Sequence, residues 1–152
     1  AVMFIITDFL WDKIKNLKSQ RKILYLDEVW RLIGNNEETA NFVFRMFKTI
    51  RKYGGAATAI TQDINDFFSL NDGKYGKGIL NNSSIKTIFQ LEENEINVLK
   101  ENLNLSEEEI YKVQNAKRGT CILYAGNNHL YLNIKASEKE YEYISTDINE
   151  NL

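Results

Sequence analysis

Lys22-Ile23-Leu24-Tyr25-Leu26-Asp27-Glu28 runs four consecutive apolar residues straight into two acids. A short, unbroken apolar stretch is how a strand buried on both faces of a parallel sheet reads, because neither face has to meet water. Working outward from it, residues 1–18 space Phe4, Ile5, Leu10, Trp11, Ile14 and Leu17 at mostly three- and four-residue steps, which predicts an amphipathic helix. Residues 37–53 place Ala40, Val43, Phe44, Phe47 and Ile50 on one stripe with Phe42, Met46 and Tyr53 beside it, a helix that should be largely buried. Gly54-Gly55 then ends that helix, as residues tolerant of the left-handed region do. Ala56-Ala57-Thr58-Ala59-Ile60-Thr61 reads as a second buried strand, and Ile85-Lys86-Thr87-Ile88-Phe89-Gln90 as a third. Between them, Asn71-Asp72-Gly73-Lys74-Tyr75-Gly76-Lys77-Gly78 is the most loop-like part of the chain. Ser106-Glu107-Glu108-Glu109 is a capping box opening a helix, and residues 120–125 and 129–135 flank Gly126-Asn127-Asn128 as a hairpin. Strands alternating with helices predict an α/β fold: a mostly parallel sheet flanked by helices and finished by a C-terminal antiparallel hairpin.

Composition narrows the chemistry. At 152 residues the chain suits one domain, 43% hydrophobic and 26% charged, with no linker-like segment or internal repeat. Nineteen Lys and Arg against 21 Asp and Glu argue against a strongly basic duplex-binding module. The single cysteine, Cys121, makes no internal disulfide, and the single histidine, His129, anchors no conventional zinc site. These counts point to a reducing compartment and exclude most metal-hydrolase, Cys–His and Ser–His–Asp chemistry. The apolar runs are far shorter than a membrane span, so no integral membrane segment is expected. Carboxylates, arginines and amides are left to do any chemistry.

Asp27 and Glu28 are the sharpest candidates. Ligands of open parallel sheets sit at the carboxyl ends of strands. Of two neighbouring acids there, one can hold Mg²⁺, which binds through one or two carboxylates, waters and phosphates. The other can orient or deprotonate a water behind a γ-phosphate. This is the Walker B arrangement; the plainer alternative is a strand ending in solvated acids. Gln62, directly after the second strand, offers a neutral amide able to bond both a phosphate oxygen and an attacking water, or else simply begins a turn. Gln90 is similar, with a structural role preferred. Arg51 either reaches a neighbouring subunit's site or complements a helix C-terminus, and Arg118 is either such an arginine or a solvated loop residue. Lys13, Lys15, Lys18, Arg21 and Lys22 read as a solvated face rather than a nucleic-acid surface, because no aromatics interleave for stacking. Trp30 reads as core, Cys121 as a buried strand residue and His129 as a hairpin residue. A P-loop, G-x-x-x-x-G-K-[ST], is absent: residues 73–78 have the wrong glycine spacing and no Ser or Thr after Lys77.

Taken in order, Ile23-Leu24-Tyr25-Leu26-Asp27-Glu28-Val29-Trp30, Arg51-Lys52-Tyr53-Gly54-Gly55 and Ile60-Thr61-Gln62-Asp63 with Asp66-Phe67 resemble the C-terminal ATPase domain of VirB4-type proteins, the TraC- and TraE-like motors of conjugation and type IV secretion. The similarity continues through Asn81-Asn82-Ser83, Lys86, Gln90, residues 103–109, Arg118-Gly119 and Gly126. The resemblance implies a RecA-like fold, ATP and Mg²⁺ as cofactors, and ATP hydrolysis. It also implies a homo-oligomer, commonly hexameric, working with other type IV secretion components at the cytoplasmic face of the cell membrane. On that resemblance Asp27 is the Mg²⁺-linked acid, Glu28 the water-activating residue and Gln62 the γ-phosphate-sensing amide, with Arg51 and Arg118 as trans-acting or sensor arginines. Residues 1–152 would then be one partial domain whose Walker A half lies upstream of residue 1, inactive by itself. Two other functions fit the same residues: a DNA-pumping motor of the HerA, FtsK or coupling-protein kind, with DNA as a partner, and a non-catalytic RecA-like docking module.

Overall fold

The computed structural model describes residues 2–17, 20–34 and 36–144, the first three by backbone alone. Of the residues read above, Lys18 and the side chains of residues 1–4 lie outside them. The order is α1 (Val2–Asn16), β1 (Lys22–Leu26), α2 (Trp30–Ile33), α3 (Glu37–Thr49), a 3-10 turn (Ile50–Tyr53), β2 (Gly55–Ala59), α4 (Ile64–Phe67), α5 (Lys74–Asn82), β3 (Ile85–Ile88), α6 (Glu93–Lys100), α7 (Glu107–Gln114), β4 (Thr120–Ala125), β5 (Asn128–Asn133) and α8 (Glu138–Ile144). Among the described residues no helix is long and apolar enough to cross a membrane.

The class is α/β, with a parallel sheet and an antiparallel hairpin. β1 and β2 pair in parallel, Lys22 opposite Gly55 through Leu26 opposite Ala59. β4 and β5 form the hairpin, Thr120 opposite Asn133 through Ala125 opposite Asn128. The third strand departs from expectation: β3 joins the hairpin antiparallel to β4, with Ile85 opposite Ala125. Its residues explain the difference. Lys86 and Thr87 interrupt the apolar run, and Ile85 is exposed while Ile88 is buried, so this strand is covered on one face only.

β1 is likewise covered on one side. Leu24 and Leu26 turn inward, whereas Ile23 and Tyr25 are 63% and 64% exposed. Ala57 and Ala59 of β2 share the inward face with Leu24 and Leu26, against Val29, Leu32, Val43, Met46 and Phe47. Small residues at 57 and 59 let the helices approach this face closely. A second core gathers Ile96 and Leu99 of α6, Val113 of α7 and Ile122 and Tyr124 of β4, and Phe68 packs against both.

The segment expected to be the loosest loop is instead a turn followed by a helix. Asn71, Asp72 and Gly73 are all left-handed, and α5 starts at Lys74. Its glycines serve close packing: a Cβ at Gly78 would fall 2.1 Å from Phe44 Cε2, and one at Gly76 2.4 Å from the Phe67 carbonyl. Other expectations hold. Gly54 is left-handed at φ 69° and closes the 3-10 turn, and Ser106 with Glu109 forms the capping box of α7. Cys121 is buried in β4, where desolvation pushes its thiol above the ordinary range.

Candidate functional site

The way β1 ends sets the acids. Ile60, one residue beyond β2, donates its N–H to the Leu26 carbonyl at 2.9 Å and accepts the Val29 N–H at 3.0 Å. The chain therefore leaves the ladder at Leu26 and rejoins it at Val29, and Asp27-Glu28 form a two-residue excursion between. Glu28 is left-handed at φ 51°, a conformation that costs a non-glycine residue about 1–2 kcal/mol. Asp27 Oδ1 offsets part of that by accepting the Glu28 N–H at 3.0 Å. Val29, fully buried, then anchors the chain before α2 begins at Trp30. Asp27 is exposed and Glu28 half-buried.

The amide comes from β2. Thr61 Oγ1 donates to the Asp63 carbonyl at 3.0 Å and accepts the Asp63 N–H at 3.3 Å. Asp63 Oδ1 caps α4 by accepting the Asp66 N–H at 2.8 Å. With its neighbours locked on both sides, Gln62 projects outward and its Nε2 donates to Glu28 Oε1 at 2.6 Å. Glu28 Oε2 accepts the indole N–H of Trp30. Both donors are neutral, so neither brings a countercharge to the carboxylate. An ionised carboxylate has about four accepting positions, and those not used by Trp30 and Gln62 remain for a proton donor from solvent or substrate.

Asp27, Glu28 and Gln62 thus converge on one rim, the carboxyl ends of the parallel pair. The arginines do not. Arg51 sits in the 3-10 turn that enters β2, whereas Gln62 follows its far end. Five strand residues at about 3.3 Å each hold the two about 16 Å apart. Arg51 therefore sits at the opposite end of β2 from the rim of its own chain. Arg118 is exposed in the turn before β4, in the other sheet, and neither guanidinium has a hydrogen bond or ion pair among the described residues. Gln90 is structural, its Nε2 donating to the Gln114 carbonyl at 3.4 Å. Trp30 does pack against the first core as read, and what sequence reasoning missed is that its indole N–H also reaches Glu28. The available signal was a lone indole N–H two positions from an acid, since half-buried Trp N–H groups seek a partner.

Among the described residues no group of three or more His, Cys, Asp or Glu is placed to hold a metal. The donor set at the rim is one exposed carboxylate, Asp27, with Oδ2 uncommitted among the described residues. That fits Mg²⁺ arriving with phosphate and water ligands and does not fit an all-protein cage.

A second carboxylate cluster stands against the hairpin. Glu109 Oε2 accepts both the N–H and the hydroxyl of Ser106 at 2.8 Å. Its Oε1 accepts the Tyr124 hydroxyl at 3.3 Å and lies 2.6 Å from His129 Nδ1. Burial pushes the Glu109 carboxyl up, but the Ser106 and His129 hydrogen bonds outweigh it and hold the group below its ordinary range. Burial, joined by the Glu109 charge, pushes the Tyr124 phenol well above its own.

A family model of the TraG P-loop domain matches residues 1–151. The chain belongs to the TraG P-loop domain family. VirB4 of Thermoanaerobacter pseudethanolicus superposes with a TM-score of 0.84 at 29% identity, covering 91% of this chain and 37% of that one. Protein TraC of Escherichia coli (strain K12) is 30% identical over 92 residues, 59% of this chain and 10% of TraC. B204, the DNA-packaging ATPase from Sulfolobus Turreted Icosahedral Virus, matches with a TM-score of 0.66 at 17% identity over 88% of this chain and 62% of that one, which shows the fold alone. This TraG P-loop chain therefore has the P-loop NTPase fold and spans a minor part of TraC and of the solved VirB4. The VirB4-type resemblance read from its motifs holds.

Proposed function

We propose that this chain is the water-activating half of an ATP-hydrolysing domain in a VirB4-type motor of type IV secretion and conjugation. The observation that carries the reading is the Glu28 carboxylate, held by two neutral donors on the rim where strand-end ligands bind, with Asp27 beside it. Glu28 accepts the proton of the attacking water, and Gln62 turns its amide to the water and a γ-phosphate oxygen. Asp27 holds Mg²⁺ through a bridging water. When bound, the ion neutralises charge on the phosphates. Residues 1–152 hold no phosphate-cradling loop of the P-loop pattern, so on this reading they alone turn over little or no ATP.

The working unit on this reading is a homo-oligomer, hexameric as in the family, peripheral to the inner face of the cell membrane and joined to other secretion components. Arg51 sits at the end of β2 opposite the rim and Arg118 is exposed, which favours a reach into a neighbouring copy. The test is phosphate release by the full-length gene product with Glu28→Gln. Loss of turnover with ATP binding retained supports the reading; turnover at the unmodified rate overturns it.

A further inference from the structure

We propose that Trp30 is a positioning residue for the hydrolytic step, its indole N–H fixing the plane of the Glu28 carboxylate. The inference rests on the reading of Glu28 as the water-activating acid. A carboxylate held at one oxygen still rotates about its last torsion; held at both, it presents its free lone pairs in one direction. Here Gln62 takes Oε1 and Trp30 takes Oε2. The two donors differ in how firmly they are mounted. Gln62 is exposed on a loop and is the group expected to leave Glu28 for phosphate and water. Trp30 is half-buried, packs against the first core, opens α2 directly after the fully buried Val29, and is overlain by the Arg31 guanidinium at 5.2 Å. When Gln62 turns away, the indole is the donor that stays.

The residue type suits the task. Indole N–H is a donor only, carries no charge and gives up no proton at working pH. It therefore orients the base without neutralising it, as Lys or Arg would, and without competing for the proton that Glu28 takes from water. The excursion at Asp27-Glu28 makes the reach feasible: the left-handed backbone at Glu28 folds its side chain back over the start of α2.

Trp30→Phe keeps the ring and deletes the donor. In the full-length protein, kcat for ATP should fall about 10- to 100-fold, the scale of a misplaced reacting group, while KM stays within about twofold, because Trp30 touches no substrate. A second readout is independent of whether Trp30→Phe weakens the fold. In protein labelled with 5-fluorotryptophan, the Trp30 fluorine resonance should move on Glu28→Ala. An unchanged kcat in Trp30→Phe, or a Trp30 resonance indifferent to Glu28→Ala, overturns the positioning role. If either occurs while Glu28→Gln abolishes turnover, the catalytic reading survives alone. If Glu28→Gln itself turns over normally, both fall.

Discussion

Glu28 and Glu109 are both half-buried glutamates gripped by side chains, yet the two surroundings suit opposite uses. Glu109 is saturated: Ser106 twice, Tyr124 and His129 take up about all the lone pairs a carboxylate has. Its position in the first turn of α7 is unstrained, and what it does is clamp that helix to the β4–β5 hairpin. Glu28 has two neutral side-chain donors, a left-handed backbone and accepting capacity left over. A filled coordination sphere makes a fastener, and a partly filled one on a strained excursion makes a reagent. The same residue type is sorted by its number of donors.

The contrast breaks most visibly in rate. Glu28→Gln in the full-length protein should lower kcat by about 10²–10⁴, the range for loss of a general base, as read by phosphate release. Glu109→Ala should leave the rate per folded molecule unchanged and instead weaken α7 and β4 by about 2–3 kcal/mol, because it strands the buried Tyr124 hydroxyl and a helix-cap N–H. Hydrogen exchange at the amides of those elements measures it. If Glu109→Ala stops turnover in a folded protein, the division of labour is wrong.

Two finer comparisons sharpen it. At position 28, Gly should be more stable than Ala by about 1 kcal/mol, since only Ala is penalised in the left-handed region. At position 109 the order should reverse by a similar amount, because Gly is the poorer helix residue. Thermal unfolding of the four variants reads both signs. The smallest effect is pH-dependent. A carboxyl held below its ordinary value contributes stability that is complete above that value, 4.5 for Glu109, and is lost as pH falls through the depressed folded value. Protection of α7 should therefore fade on the acid side of 4.5 in the unmodified protein and change less steeply in Glu109→Gln.

How much of this was legible depends on what each signal encodes. The run 23–26 and the small residues 56–59 announced paired strands, and acids and an amide just past their ends announced a shared rim, because strand ends in such sheets converge by construction. What covers a strand is not written in the strand, so Ile23 and Tyr25 gave no sign of lying on an open face. At residues 85–88 the sign was present: Lys86 and Thr87 break the apolar run, which belongs to a one-sided strand. Gly76 and Gly78 read as looseness because a sequence shows a missing side chain without showing Phe67 and Phe44 filling the space. Trp30 was hidden by its size, since a large aromatic beside a core reads as packing until its single polar atom is traced. Arg51 was singled out by motif order alone, which does not say whose rim an arginine serves.

The splice at Ile60 has a mechanical corollary. One residue grips the chain on both sides of the acid pair, and Gln62, two residues along, carries the amide. Glu28 and Gln62 ride a single girder, so a tilt of either strand swings their backbones together at constant spacing. If hydrolysis is coupled to transport as proposed, the stroke should show up as movement of this whole rim, with the backbones of Glu28 and Gln62 travelling together.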